Sequence, residues 1–125
     1  GLNAVNDKLI AIIDDDRSFR MALDGLLRSF GHATKTFTSA EAFLESGEAD
    51  KPDCVLSDIQ MPGLNGIDLK YRLAELGNTV PVIFVTAQTE KSTLAKARES
   101  GARCILRKPL EIDTLLECLE GALNA

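Results

Sequence analysis

The sequence predicts an α/β fold: a doubly wound, open sheet of five parallel strands with helices on both faces. Two observations predict it. Five short apolar stretches recur along the 125 residues, and segments with helical periodicity fill the gaps between them. Strands that alternate with helices form parallel sheets through right-handed crossovers. Eight such units would be needed to close a barrel, and the chain is too short for them.

The five predicted strands are residues 9–13, 33–37, 54–57, 80–86 and 104–106. Four of them are almost continuously apolar, as expected for strands that are covered on both faces of a parallel sheet. In the second strand, Thr34 and Thr36 alternate with Ala33 and Phe37. We therefore expect this strand to be half-exposed and to lie near an edge.

Apolar residues at helical spacing mark the helices. Those of the first, third and fifth helices are Phe19, Ala22, Leu23, Leu26, Leu27 and Phe30; Leu69, Leu73 and Leu76; and Ile112, Leu115, Leu116, Leu119 and Leu123. Thr38 and Glu41 are spaced as a capping box at the start of a short second helix. The segment 90–100 contains Leu94 as its main large apolar residue, so we expect a lightly anchored fourth helix.

Composition and charge narrow the function classes. The hydrophobic content of 45% is typical of a globular domain, and the net charge of −5 argues against nucleic-acid binding by this domain. The sequence contains no apolar run of about 18 residues, which a membrane span would need, and no basic leader typical of a secretory signal.

Cys54 and Cys104 lie in apolar stretches and are expected to be small buried core residues. A reducing cytoplasm fits this cysteine usage.

Polar residues follow four of the predicted strands. They are Asp14, Asp15 and Asp16 after the first, Asp58 after the third, Thr86 and Ala87 at the end of the fourth, and Lys108 and Pro109 after the fifth. In open α/β sheets, ligands bind at these carboxyl ends. Two negative charges 4 Å apart repel by about 4 kcal/mol at an effective dielectric near 20, so clustered carboxylates must raise a pKa or bind a cation. Oxygen ligands favour a hard ion, Mg²⁺ or Mn²⁺.

A hard cation beside a carboxylate indicates phosphoryl transfer, in which the carboxylate itself can become an aspartyl phosphate. Spacing alone does not decide which aspartate attacks. We favour Asp58 because it stands alone, which leaves the adjacent pair Asp14 and Asp15 for the cation. Asp16 is predicted to cap the first helix.

These four motifs, in this order, resemble the receiver domain of bacterial two-component response regulators. They are Asp14-Asp15, Asp58 within Asp-Ile-Gln-Met-Pro-Gly, Thr86-Ala87 and Lys108-Pro109. The resemblance spans residues 8–123, and we expect residues 1–125 to form a single receiver domain. It implies a flavodoxin-like sheet in the order 2-1-3-4-5 with five helices.

The resemblance also implies a role for each residue. Asp58 would accept a phosphoryl group from the phosphohistidine of a sensor histidine kinase, and Lys108 and Thr86 would contact that group. Asp15, Asp58 and the backbone carbonyl of Gln60 would bind Mg²⁺ directly, with Asp14 acting through water. The Lys108–Pro109 bond would be cis. Such a module is not an enzyme, since it promotes only its own phosphorylation and dephosphorylation.

The segment 39–44, Ser-Ala-Glu-Ala-Phe-Leu, and Arg107-Lys108-Pro109 are similar to FixJ-type regulators. Those regulators join the receiver to a helix-turn-helix output domain, and this implies that DNA is contacted only through a domain outside the chain. Ile105 departs from the family, which usually has an aromatic residue there. We therefore expect Thr86, Ala87 and the fourth helix to carry the switch. Ile105 would add exposed apolar surface for pairing of two copies through the fourth helix, fifth strand and fifth helix.

Three other functions fit the sequence less well. Asp14-x-Asp16-x-Ser18 with Lys108 resembles haloacid-dehalogenase-type phosphatases, but only Glu111 and Asp113 remain to supply the further acidic pair that those enzymes need. A flavin or nucleotide binder would need a glycine-rich loop after the first strand. A degenerate receiver would lack some of the acidic positions, all of which are filled here.

Overall fold

The computed structural model describes residues 8–124, in which five strands alternate with five helices. They are β1 (Leu9–Ile13), α1 (Arg17–Ser29), β2 (Ala33–Phe37), α2 (Ala40–Glu45), β3 (Cys54–Ser57), α3 (Gly66–Glu75), β4 (Val82–Thr86), α4 (Lys91–Glu99), β5 (Cys104–Arg107) and α5 (Ile112–Leu123). The predicted alternation is confirmed. Residues 1–7 and 125 lie outside the described residues. The predicted domain bounds of 1–125 and the expectation that the chain has no leader both extend to these residues.

The strands form one parallel sheet in the order β2-β1-β3-β4-β5, as the resemblance implied. The polar strand β2 lies at an edge, as its alternating sequence predicted. In the register of the neighbouring strands β1 and β3, Ile13 lies opposite Ser57. The next residues, Asp14 and Asp58, therefore leave the sheet side by side at its carboxyl edge.

Each face of the sheet carries its own core, because successive side chains of a strand point to opposite faces. On β1, Ile10 and Ile12 pack with the α1 and α5 side, whereas Ala11 and Ile13 pack with the α2, α3 and α4 side. The helical residues buried on the first face are Leu23, Leu27, Leu115, Cys118, Leu119 and Ala122, and those on the second are Ala40, Phe43, Ile67, Leu69, Leu73 and Ala97. Helices therefore cover both faces of the sheet.

Several helical positions differ from the prediction. The spacing places Leu76 on the apolar face of α3, but it is the residue after the last turn and is 71% exposed. Phe30 and Ile112, at the ends of their apolar faces, are exposed as well. On α4 the buried residue is Ala97, not Leu94. This confirms a lightly anchored helix, although its anchor is the smaller side chain.

The predicted capping box at α2 is wrong. Ser39, not Thr38, caps the helix, and its hydroxyl accepts a hydrogen bond from the Ala42 backbone N–H at 3.0 Å. The Glu41 carboxylate turns away from the cap and accepts from the backbone N–H of Leu64 at 2.9 Å. A long-range partner thus replaces the local one that the spacing suggested.

The prediction of small buried core cysteines is confirmed for Cys54 and wrong for Cys104. Cys54 is buried and unpaired, and burial raises the pKa of its thiol to about 12. Cys104, by contrast, is only half-buried and forms a disulfide with Cys118. The packing of α5 along β5 brings together two residues 14 positions apart, with 6.5 Å between their Cα atoms. Their spacing in the sequence does not indicate this pairing, and a disulfide is not what the cysteine usage of a reducing cytoplasm predicts.

Within residues 8–124, no helix combines the length and apolar character that crossing a bilayer requires.

Replacing Leu73 by Ala tests the packing of α3 on the sheet. Leu73 is fully buried, so its truncation should lower the free energy of unfolding by about 2–5 kcal/mol in urea titrations. Leu76→Ala is the matched control, because the same deletion at an exposed position should change stability by less than about 0.5 kcal/mol. Equal losses in the two variants would contradict this packing.

Candidate functional site

Three carboxylates meet at the carboxyl edge of the sheet. One oxygen atom from each of Asp14, Asp15 and Asp58 lies within 4.8 Å of the others. Asp14 is buried, Asp58 is half-buried and Asp15 is exposed. The structure therefore brings together the acidic residues that the sequence predicted. The cluster is open to solvent on the side of Asp15.

Asp14 is held from three directions. Its Oδ1 accepts a hydrogen bond from the Asp16 backbone N–H at 2.9 Å, and its Oδ2 lies 2.9 Å from Lys108 Nζ. The Arg20 guanidinium donates to the Asp14 carbonyl oxygen at 2.7 Å. Asp16 caps α1, as predicted, by accepting from the backbone N–H of Phe19. These contacts fix the Asp14 carboxylate relative to the start of α1.

Sequence reasoning missed Arg20. Only 9% of its surface is exposed, although arginine is rarely this buried without a partner. The signal was its position three residues before Leu23 and seven before Leu27, on the same face of α1. A charged residue on the apolar face of a helix needs a buried acceptor, and here that acceptor is the Asp14 carbonyl.

The Asp58 carboxylate is fixed by local hydrogen bonds. Its Oδ1 accepts from the Ile59 backbone N–H at 2.7 Å, and its own backbone N–H donates to the Ile13 carbonyl at 3.0 Å. Burial raises the pKa of Asp58, and the charge of Asp14 raises it further, while Lys108 opposes both effects. Hydrogen bonds thus position the Asp58 carboxylate, although its surroundings disfavour its negative charge.

Lys108 supplies the positive charge in the cluster. Its Nζ lies 2.9 Å from Asp14 Oδ2 and 3.4 Å from Asp58 Oδ2. Its backbone N–H donates to the Thr86 carbonyl at 2.9 Å, and the Lys108–Pro109 bond is cis, as expected. Burial opposes the charge on Lys108, but the two carboxylates outweigh burial and raise its pKa.

The donor set fits a hard divalent cation. Three carboxylates and one ammonium leave two negative charges uncompensated within a cluster less than 5 Å across. Oxygen ligands of this kind suit Mg²⁺, which keeps several of its waters. The exposed side of the cluster, at Asp15, offers room for those waters.

The predicted switch residues lie beside this cluster. Asp58, Gln60, Thr86, Ala87 and Gln88 line an open cavity of about 270 Å³. The Thr86 hydroxyl is buried and accepts from the Gln88 backbone N–H at 2.9 Å, and the Gln88 amide lies 3.4 Å from the Gln60 side-chain oxygen. Ile105 lies away from the cavity lining, half-buried against the α2–α4 core. The cavity thus joins the acidic cluster to the loop that precedes α4.

The loop after Asp58 is held by α2. Glu41 reaches it through the Leu64 backbone N–H, and a side chain on Gly63, which has φ +76°, would clash with the Glu41 carboxylate. A side chain on Gly66 would clash with the carbonyl oxygen of Asp58, because α3 begins directly beneath it. Close packing by α2 and α3 therefore sets the path of residues 58–66.

Comparison with known proteins agrees with this geometry. Residues 10–120 match the family model of the response regulator receiver domain. The chain is 36% identical to the response regulator protein TmoT of Ectopseudomonas mendocina, over 99% of this chain and 57% of TmoT. It is also 36% identical to the transcriptional regulatory protein FixJ of Bradyrhizobium diazoefficiens, over 92% of this chain and 56% of FixJ.

Among solved structures, a response regulator receiver protein from Burkholderia phymatum is similar, with a TM-score of 0.82 and 41% identity. The alignment covers 94% of this chain and 95% of that protein. The chain spans little more than half the length of TmoT and FixJ.

The contact between Glu41 and the Asp58 loop should depend on pH. The hydrogen bond from Leu64 lowers the pKa of Glu41 below its ordinary value of 4.5. A carboxylate with a lowered pKa adds stability above that ordinary value, and the stability is lost as the pH falls through the pKa of the folded protein. We therefore expect Glu41→Gln to be less stable than wild type in urea at pH 7, with a difference that shrinks below pH 4.5.

Glu45→Gln is the matched control, since Glu45 is exposed on the same helix and its replacement should change stability by less than about 0.5 kcal/mol. A Glu41→Gln deficit of the same size at pH 7 and pH 3 would argue against a charge-dependent contact.

Proposed function

The chain belongs to the response regulator receiver domain family, and we propose that it takes a phosphoryl group from a sensor histidine kinase onto Asp58 in a Mg²⁺-dependent reaction. One observation carries the proposal. The half-buried Asp58 carboxylate lies beside both Lys108 and the carboxylates of Asp14 and Asp15. Such a group combines a positioned nucleophile with the charges that phosphoryl transfer requires.

In the proposed step, a carboxylate oxygen of Asp58 attacks the phosphorus of a phosphohistidine. The new O–P bond forms while the P–N bond breaks, and the electron pair of that bond returns to the imidazole nitrogen. The hydrogen bond from Ile59 to Oδ1 holds the carboxylate in place. The Lys108 ammonium, already 3.4 Å from Oδ2, would move to the transferred phosphoryl oxygens and offset their charge.

We assign the cation to Asp15, Asp58 and the backbone carbonyl of Gln60, with Asp14 acting through water. When bound, Mg²⁺ or Mn²⁺ neutralises charge on the phosphoryl oxygens. Asp14 suits an indirect role because its two carboxylate oxygens already accept hydrogen bonds from Asp16 and Lys108. Asp15 is the exposed carboxylate of the cluster and is free to take a place at the cation.

The phosphoryl group would then act on the loop before α4. It adds nearly two negative charges and new acceptors, and the Thr86 hydroxyl is the neighbouring donor on the cavity wall. If the Thr86 hydroxyl turned toward the phosphate, it would lose the hydrogen bond that it accepts from the Gln88 backbone N–H. This would release Ala87 and the start of α4, which lacks a side-chain cap. With Ile105 in place of an aromatic residue, we assign the switch to Thr86, Ala87 and α4. The exposed part of the half-buried Ile105 would add apolar surface to α4-β5-α5, through which two phosphorylated copies would pair.

The wider role follows from the relatives. We propose a cytoplasmic signalling module that promotes only its own phosphorylation and dephosphorylation. TmoT and FixJ are named as a response regulator and a transcriptional regulator, and both are longer than this chain. A transcriptional output through a further domain of the same protein is consistent with those relatives.

Intact mass spectrometry after incubation with Mg²⁺ and acetyl phosphate tests the proposal. Wild type should gain the mass of one phosphoryl group, and Asp58→Asn should gain none. Asp50→Asn, which removes an exposed acid elsewhere, is the control and should label as wild type does. When a beryllofluoride mimic is bound, size-exclusion chromatography should show a larger species. The backbone amide resonances that shift in NMR spectra on binding of the mimic should include those of α4.

Asp58→Asn should also fold at least as stably as wild type, because burial raises the Asp58 pKa and its charge therefore disfavours the folded state. Loss of labelling would then not reflect unfolding. If Asp58→Asn labels as well as wild type, Asp58 is not the acceptor.

A further inference from the structure

The Lys108 ammonium has a third neighbour that the acidic cluster does not include. Its Nζ lies 4.2 Å from the centroid of the Phe19 ring. A cation at this distance over an aromatic face is attracted by the negative face of the ring. Asp14 Oδ2 at 2.9 Å and Asp58 Oδ2 at 3.4 Å contact the same ammonium. Two carboxylates and one ring therefore surround a group that has three donor hydrogens.

The backbone that carries the Phe19 ring is anchored next to the acidic cluster. The Phe19 backbone N–H is bound by the cap residue Asp16, and the next residue, Arg20, binds the Asp14 carbonyl. Phe19 also packs against the α1 and α5 core. Phe19 and Asp14 are thus held on the same short segment, at the junction of β1 and α1.

We infer that Phe19 is a positioning residue for Lys108, holding its ammonium against the acidic cluster and shielding one side of it from water. The inference rests on the proposed function, because it assumes that Lys108 contacts the phosphoryl group. When a phosphoryl group on Asp58 draws the Lys108 ammonium to its oxygens, Phe19 and Asp14 would still hold the lysine side chain from the opposite side. The ring would keep the lysine in the site before and after transfer.

A role confined to core packing would need only the volume of the ring. A role toward Lys108 needs its electron-rich face. Fluorination separates the two, since successive fluorine atoms weaken that face while the ring keeps nearly the same shape. The series is phenylalanine, 4-fluoro-, 3,5-difluoro- and 3,4,5-trifluorophenylalanine at position 19, with the same series at Phe30 as control. Phe30 is the exposed residue directly after α1.

The first measurement is the rate constant for phosphorylation by acetyl phosphate at saturating Mg²⁺. The rate should fall steadily along the Phe19 series, by about 2- to 5-fold at the trifluoro ring, and stay level along the Phe30 series. A flat Phe19 series would overturn the inference. Absence of phosphorylation in wild type would instead overturn the proposed function.

The second measurement does not depend on phosphorylation. In NMR spectra of the metal-free protein, the Lys108 Hε protons should be shifted upfield by the ring current of Phe19. Phe19→Leu should abolish that shift, and Phe30→Leu should preserve it. If the Lys108 Hε shift is the same in wild type and Phe19→Leu, the ring does not contact the ammonium and the inference is wrong.

Discussion

The ion-paired Lys108 ammonium, between Asp14 and Asp58, is the interaction on which the site depends. The register of β1 and β3 places these two aspartates side by side, and like charges so close repel each other strongly. Lys108 reaches both carboxylates from the end of β5, two strands away from β3. The site therefore needs the four adjacent strands β1, β3, β4 and β5, because only their correct order brings the Lys108 ammonium to the two carboxylates.

The two sides of this site are held with different strength. On one side, Arg20 binds the Asp14 carbonyl, Glu41 holds the loop after Asp58, and α3 packs directly beneath Asp58. On the other side, α4 buries a single alanine and has no side-chain cap. Regions with few buried contacts open at low free-energy cost. Rigid acids beside a loosely held helix suit a module in which a local change of charge is transmitted to one surface.

Sequence patterns predicted the strands and the acidic cluster because both depend on local information. Apolar stretches mark strands, and the carboxyl ends of parallel strands share one edge of the sheet, so the order of residues along the chain is enough to group Asp14, Asp58 and Lys108. Contacts between distant elements were not predictable. Glu41 accepts a hydrogen bond from the distant Leu64 backbone instead of completing the predicted cap of α2. Cys104 pairs with Cys118 because α5 packs on β5. Leu76 kept the helical spacing but fell past the last turn, where it stays exposed.

The charge balance within the acidic cluster is tested most directly by the pKa of Asp58. It can be followed by carbon-13 NMR of the carboxyl group in metal-free wild type and Lys108→Met. Burial and Asp14 raise this pKa above the ordinary value of 3.8, whereas Lys108 lowers it. We expect a raised pKa in wild type and a still higher one in the variant. A wild-type pKa at or below 3.8 that does not change in Lys108→Met would contradict the account.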